Sequence, residues 1–355
     1  MPTTMRLVTN DGRTVSTGPI DRQLHQGAVL SPDASDVLLQ VASAERIGDE
    51  LRVDVDVYDG AATHVPRDRS PSTPGPSRQD VASTGEVTLA LHHLGGTGPD
   101  LLICHATGFH GLAYAPLARG LVSTFTVWAL DFRGHGASTP PRDEVFTWNG
   151  ATDDVLAAAD AIGRSPVLAV GHSLGGAAIL RAELARPGSI AAAYVYEPIV
   201  FPAERLARRG ENPMSGPARN RRAAFPSKRA AYERYASRPP LDVLRPDALA
   251  AYVEHGFVDD TSGAVTLACL PEHEARMFEA DDHVTLDDLV DLDLRLAIGV
   301  GVPEHDGGPA DLAPGLGATV PGSQLISYDL GHFGPLEDPD RIAADIVIAL
   351  GETPR

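Results

Sequence analysis

The stretch from Pro166 to Ala185 constrains the fold more than any other part of this 355-residue chain. It opens with Val167-Leu168-Ala169-Val170, a short apolar run bounded by Gly163 and Pro166, which suits a strand buried on both faces. It closes with Leu174–Ala185, rich in helix formers and stopped by Pro187-Gly188. Between them lies Gly171-His172-Ser173-Leu174-Gly175, a G-x-S-x-G pattern. Strand, tight turn and helix in this order force the serine to the tip of a bend, and flanking glycines let the two backbones approach closely. The helix N-terminus beneath it favours negative charge developing near the hydroxyl.

The rest of the chain supplies a setting for that bend. From Gly85 onward, apolar strands alternate with helical patterns, which predicts a parallel sheet covered by helices. Strands are expected at Leu101–His105, Thr126–Asp131, Val167–Val170, Ala192–Tyr196, Leu294–Val300 and Gln324–Tyr328. The alternation stops over 201–289. Charged helices are expected there at Arg219–Ala236 and Pro246–His255, with a hairpin around Thr261-Ser262-Gly263. An insertion this long between core strands reads as a cap over a pocket. Residues 1–60 look strand-rich: Leu51, Val53, Val55 and Val57 alternate with Arg52, Asp54, Asp56 and Tyr58, and Asn10-Asp11-Gly12 reads as a hairpin turn. A Pro/Ser-rich stretch at 61–84 reads as a linker. The expected division is an extension at 1–60, the linker, a core in two parts at 85–200 and 290–355, and the cap at 201–289.

Composition narrows the partners. A net charge of −19 argues against nucleic acid or an anionic membrane surface. Cys104 and Cys269 are far apart with no metal spacing, no run reaches the length of a membrane helix, and Met1–Arg6 leads into no apolar signal core. A reduced, cytoplasmic protein is the expectation. There is no H-E-x-x-H and no clustered His/Asp pattern, so neither metal nor cofactor is expected.

Four motifs then occur in a telling order: HATGFHG (His105–Gly111), DFRGHGAS (Asp131–Ser138), GHSLGG (Gly171–Gly176) and DLGHFGPLEDP (Asp329–Pro339). Together they make the chain resemble the α/β-hydrolase superfamily over roughly 85–355. The resemblance implies a mostly parallel eight-stranded sheet flanked by helices, a mainly helical cap inserted after the sixth strand, and a nucleophile–acid–histidine triad. Ser173 matches the nucleophile, whose weakly acidic hydroxyl needs a base within reach. His332 matches that base, with an ordinary pKa suited to taking a proton and returning it. The acid normally follows the seventh strand. Asp306 is the first choice there, with Glu304 and Asp311 close by. Some relatives place the acid after the sixth strand instead, where Glu197 sits. The oxyanion donors are expected to be the backbone N–H of Leu174 and of Thr107, with Gly108 and Phe109 as alternatives to Thr107. His105, Asp131 and His135 are expected to brace loops.

Cap residues carry less. Arg219, Arg221, Arg222, Lys228, Arg229 and Arg234 make the early cap basic, either to attract an anionic substrate or as a solvated helix face. Tyr232, Tyr235, Tyr252 and Phe257 either line an acyl pocket or form cap core. A serine at the bend argues against the dehalogenases and epoxide hydrolases of this fold, whose nucleophile is aspartate. The expected function is a serine hydrolase cleaving a small-molecule acyl bond, most simply a carboxylic ester. Acyl transfer, carbon–carbon cleavage and perhydrolysis use the same triad, and a non-catalytic ligand-binding or signalling protein is the reading from another class.

Overall fold

A computed structural model describes residues 77–163, 166–207, 212–261, 263–303 and 308–351 (backbone alone at 206–207), together with the backbone of five strands between residues 4 and 57. The core sheet has eight strands: β1 (Ser77–Ser83), β2 (Val87–Gly95), β3 (Asp100–Cys104), β4 (Thr126–Asp131), β5 (Val167–His172), β6 (Ile190–Tyr196), β7 (Arg295–Val300) and β8 (Gln324–Ser327). Their spatial order is β8-β7-β6-β5-β3-β4-β2-β1. Every pairing from β4 to β8 is parallel, and β2 runs antiparallel to both of its neighbours.

The apolar runs behave as a sheet covered on both faces should. Along β5, Val167 and Ala169 pack into a layer with α2 (Trp148–Ile162) and α3 (Leu174–Ala185). Leu168 and Val170 pack into the opposite layer, beneath Ala115–Leu121 and Pro339–Gly351. The same alternation divides Leu102 and Cys104 from Leu101 and Ile103 on β3. Burying each such Leu or Ile side chain contributes about 1.5–3 kcal/mol. Helix α2 starts where Thr147 caps it, its Oγ1 accepting from Gly150 N at 2.9 Å, and stops at left-handed Gly163.

Two expectations shift. The stretch read as a linker ends in strand β1, whose only buried residue is Val81; with one apolar contact, its periodicity is too weak to read, and ladder pairing with β2 holds it. Residues 61–76 lie outside the described residues. The helix expected over Arg219–Ala236 is broken: helices at Ser215–Arg219 and α4 (Lys228–Ala236) flank a short strand, Ala224–Phe225. Pro226 lacks an N–H and keeps Phe225 extended, and that residue pairs with Val265.

The 201–289 segment otherwise holds α5 (Pro246–His255), α6 (Pro271–Glu279) and a three-stranded antiparallel sheet that includes Phe257–Asp259 and Val265–Leu267. Ser262, in the expected hairpin turn, is outside the described residues. Near the N-terminus, Thr4–Thr9 pairs antiparallel with Thr14–Pro19 and parallel with Glu50–Val57, within a sheet of five strands.

Candidate active site

Strand β5 ends at His172, and the next residue turns the chain sharply. Ser173 has φ 54°, ψ −113°, a conformation that costs an L-residue about 1–3 kcal/mol. Backbone bonds on both sides hold it there. Its N–H donates to Tyr196 O at 3.0 Å, and its carbonyl accepts from Ala177 N at 3.2 Å. The flanking glycines are required by proximity. A Cβ on Gly171 would lie 2.6 Å from Gly176 N, and one on Gly175 would collide with the Cys104 carbonyl. This lets α3 start directly under the serine, with its first N–H groups unclaimed by any intrahelical acceptor.

His332 follows β8 on the loop Asp329–Phe333 and lines the same cavity as Ser173. Its Nδ1–H donates to Glu197 Oε2 at 2.7 Å, which in the neutral ring leaves Nε2 as an acceptor. Glu197 comes directly after β6 with φ 42°, another strained residue, and is almost fully buried. Its N–H donates to Gly299 O at 3.0 Å, and its Oε1 accepts from Gly301 N at 2.8 Å. The carboxylate is therefore fixed by the end of β7 before it meets the imidazole. Asp306 and Glu304 lie outside the described residues, and Asp311 sits exposed in the first turn of the helix Pro309–Thr319. Among the described residues it is Glu197, the alternative after the sixth strand, that reaches His332.

A second imidazole lies beneath the first. His172 Nε2 donates to the His332 carbonyl at 2.7 Å, so its Nδ1 accepts from the Tyr114 hydroxyl at 2.6 Å. Burial, reinforced by the neighbouring His332, holds the His172 pKa well below the usual value, which keeps the ring neutral. The Tyr196 hydroxyl donates to Gly331 O at 2.8 Å, so the histidine loop is fastened at two carbonyls. Sequence reading did not find this clamp, because neither His172 nor Tyr196 belongs to a motif that announces a bracing role.

The loop after β3 is braced from below. His105 Nδ1 donates to Ala106 O at 2.7 Å, and its Nε2 accepts from Phe132 N at 2.9 Å. Burial pushes His105 down to about 3. Asp131 accepts from Gly111 N (2.7 Å), Ala137 N (2.9 Å) and His92 Nε2 (3.0 Å). Burial opposes its charge, yet the His92 contact holds the carboxyl below the usual range. In this loop Gly108 N is spent on His135 Nε2 at 3.1 Å and Phe109 N on Ala106 O at 3.1 Å. Thr107, whose N–H carries neither bond, lines the cavity.

That cavity has a volume of about 1200 Å³ and is lined by residues of the core and of the 201–289 segment. Of the four aromatic residues singled out in the cap, Tyr235 lines it, whereas Tyr252 and Phe257 are buried and Tyr232 packs against the core beneath. Among the basic residues, Arg219 pairs with Glu272 and Glu279, Arg221 with Glu274, Lys228 with Glu254 and Arg229 with Glu233. Arg221, Arg222 and Arg234 face the cavity, joined by Arg205 and Arg238, which the sequence reading passed over. Among the described residues, no helix is long and apolar enough to cross a membrane.

A mostly parallel sheet with this strand order, a serine on a strained bend after β5 and a histidine after β8 define the class: an α/β hydrolase fold. The sequence profile of the Alpha/beta hydrolase family matches residues 101–345, and the chain belongs to that family. Its relatives carry hydrolase names. Over 109 residues it is 32% identical to protein phosphatase methylesterase 1 of Mus musculus, covering 28% of each chain. Over 91 residues it is 34% identical to 2-(acetamidomethylene)succinate hydrolase of Mesorhizobium japonicum, covering 26% of this chain and 32% of that protein. Each match thus spans less than a third of the relative's length. A crystal structure of E-2-(acetamidomethylene)succinate hydrolase superposes with a TM-score of 0.63 at 22% identity, over 78% of this chain and all of the other. That likeness concerns the fold.

Proposed function

We propose that this chain is a serine hydrolase that cleaves an acyl bond, most simply a carboxylic ester of a small molecule, through Ser173, His332 and Glu197. The observation that carries the reading is the 2.7 Å hydrogen bond from His332 to buried Glu197, made by a histidine that shares its cavity with a strained serine. In this reading Ser173 Oγ attacks the substrate carbonyl as His332 Nε2 takes its proton. Glu197 holds the ring's tautomer and stabilises the imidazolium that forms. The N–H groups of Leu174 and Thr107 receive the oxyanion; support for Thr107 comes from the engagement of Gly108 and Phe109 elsewhere. The tetrahedral intermediate collapses, His332 gives its proton to the leaving alkoxide, and water then releases the acyl group by the same route. Residues 201–289 act as the cap that encloses the substrate.

Reaction with a fluorophosphonate probe, read by mass spectrometry, tests this directly. Labelling at Ser173 that vanishes in Ser173→Ala is the expected result. A folded wild type that neither takes the probe nor turns over short-chain esters overturns it.

A further inference from the structure

The cavity wall holds more positive charge than its own carboxylates neutralise. Among the described residues two carboxylates line it, and both are engaged: Glu197 by Gly301 N and His332, and Glu274 by Arg221 at 2.9 Å. Arg234 and Arg238 line it too, and neither guanidinium has a partner among the described residues. Arg234 is half-buried and Arg238 exposed, in a chain with 48 acidic and 29 basic residues. Nearby cap arginines do find partners: Arg219, Arg229 and Arg276 all pair with glutamates. Arg222 also lies on the wall, stacked over Phe225, with its Nε donating only to a backbone carbonyl.

The placement is specific. Arg234 occupies the last turn of α4, and Arg238 lies just beyond the helix end, where its N–H bonds Tyr235 O; both line the cavity. Trp148 adds a further donor: it lines the cavity almost fully buried, and its indole N–H has no acceptor among the described residues. Among the described residues, the carboxylates of this wall are engaged, while the Arg234 and Arg238 guanidinium groups and the Trp148 N–H have no acceptor. A guanidinium fork matches carboxylate and phosphate oxygens in the same way.

Resting on the hydrolase reading above, we infer that the substrate is an acyl compound bearing an anionic group remote from the scissile carbonyl, held by Arg234 and Arg238. The net-negative protein repels such a molecule at long range, and a local cationic wall reverses that at the mouth of the site.

Matched p-nitrophenyl esters test this: the glutarate monoester, its neutral methyl diester and a phosphonate-ended analogue of equal length. In the wild type, kcat/KM for an anionic ester should exceed that for the neutral one by at least about tenfold, a preference that weakens with salt. In the double variant Arg234→Gln, Arg238→Gln the ratio should fall toward one. The better of the carboxylate and phosphonate esters identifies the anion. A wild-type ratio at or below one, or a ratio unmoved by the double variant, overturns the proposal. The latter would leave Arg234 with only its favourable place at a helix C-terminus. Calorimetry on Ser173→Ala with methyl hydrogen glutarate separates this proposal from the one it rests on. Binding weakened at least about tenfold by the arginine changes supports the anion site even if no ester is hydrolysed, and binding indifferent to them overturns it.

Discussion

Among the described residues, two buried carboxylates pair with an imidazole, Asp131 with His92 and Glu197 with His332, and the second imidazole lines the cavity. Asp131 and His92 join β4 to β2 at 3.0 Å, with side chains 3% and 9% exposed. Glu197 and His332 meet at 2.7 Å, with side chains 1% and 20% exposed. Both carboxylates are preset by backbone donors: Gly111 and Ala137 for Asp131, Gly301 for Glu197. The difference lies in the histidine. His92 belongs to a strand inside the sheet, whereas His332 rides a loop that brings it to the cavity lined by Ser173. The pairing itself is a structural device. It becomes chemistry only where the ring's other nitrogen can meet a proton donor in reach of substrate.

The sharpest way to break this contrast is at the Ser173–His332 end. Ser173→Ala and His332→Ala should each lower kcat by about 10⁴- to 10⁶-fold, measured on any ester the wild type turns over. A loss below tenfold in either would remove the distinction between the two pairs. Next come the carboxylates. Glu197→Gln should cost about 10³- to 10⁴-fold in kcat with a modest change in stability, since the amide can present a hydrogen to His332 and spoil its tautomer. Asp131→Asn should show the reverse profile: about 1–3 kcal/mol lost in chemical unfolding, because three buried donors lose a carboxylate acceptor, with far less effect on kcat of the folded fraction. Matching profiles for the two substitutions would mean that both carboxylates do the same job.

The smallest effect is on pH. His105 and His255 are pushed down to about 3, chiefly by burial, and His110, His135 and His172 are lowered for the same first reason. Such rings bind fewer protons folded than unfolded, so stability rises with pH. The contribution of His105 is complete above about 6.5 and is lost as pH falls toward 3, at about 1.4 kcal/mol per pH unit. Chemical unfolding at pH 7, 6 and 5 checks this. A flat profile would mean that these rings take up protons as readily in the fold as in the unfolded chain.

Much of this arrangement was legible before any coordinates, and what was not has a common cause. Ser173 and His332 are announced by their own neighbours, since the bend and the histidine loop are local motifs. The core strands were readable because burial on both faces makes them continuous apolar runs. Glu197 is different. Nothing around Glu197 except its place after an apolar strand marks it, and its orientation is set by pairing between β6 and β7, which join residues far apart in the chain. Strand β1 escaped for a related reason: backbone pairing holds it, and pairing leaves little trace in side-chain pattern. The arginines of the cavity wall looked no different from their salt-bridged neighbours until their partners, or the lack of them, were known.

The hydrogen bond from His172 to the His332 carbonyl joins positions 160 residues apart, and one of them is the covalent neighbour of Ser173. Position 172 thus works as a gauge block between Ser173 and His332. A shorter side chain there leaves slack in the gap, and a longer one wedges it open. Because His172 does not line the cavity, that gauge reads the same whatever residues 201–289 present above it. Residues 201–289 can change, and with them the shape of the cavity, while Ser173 and His332 keep their spacing.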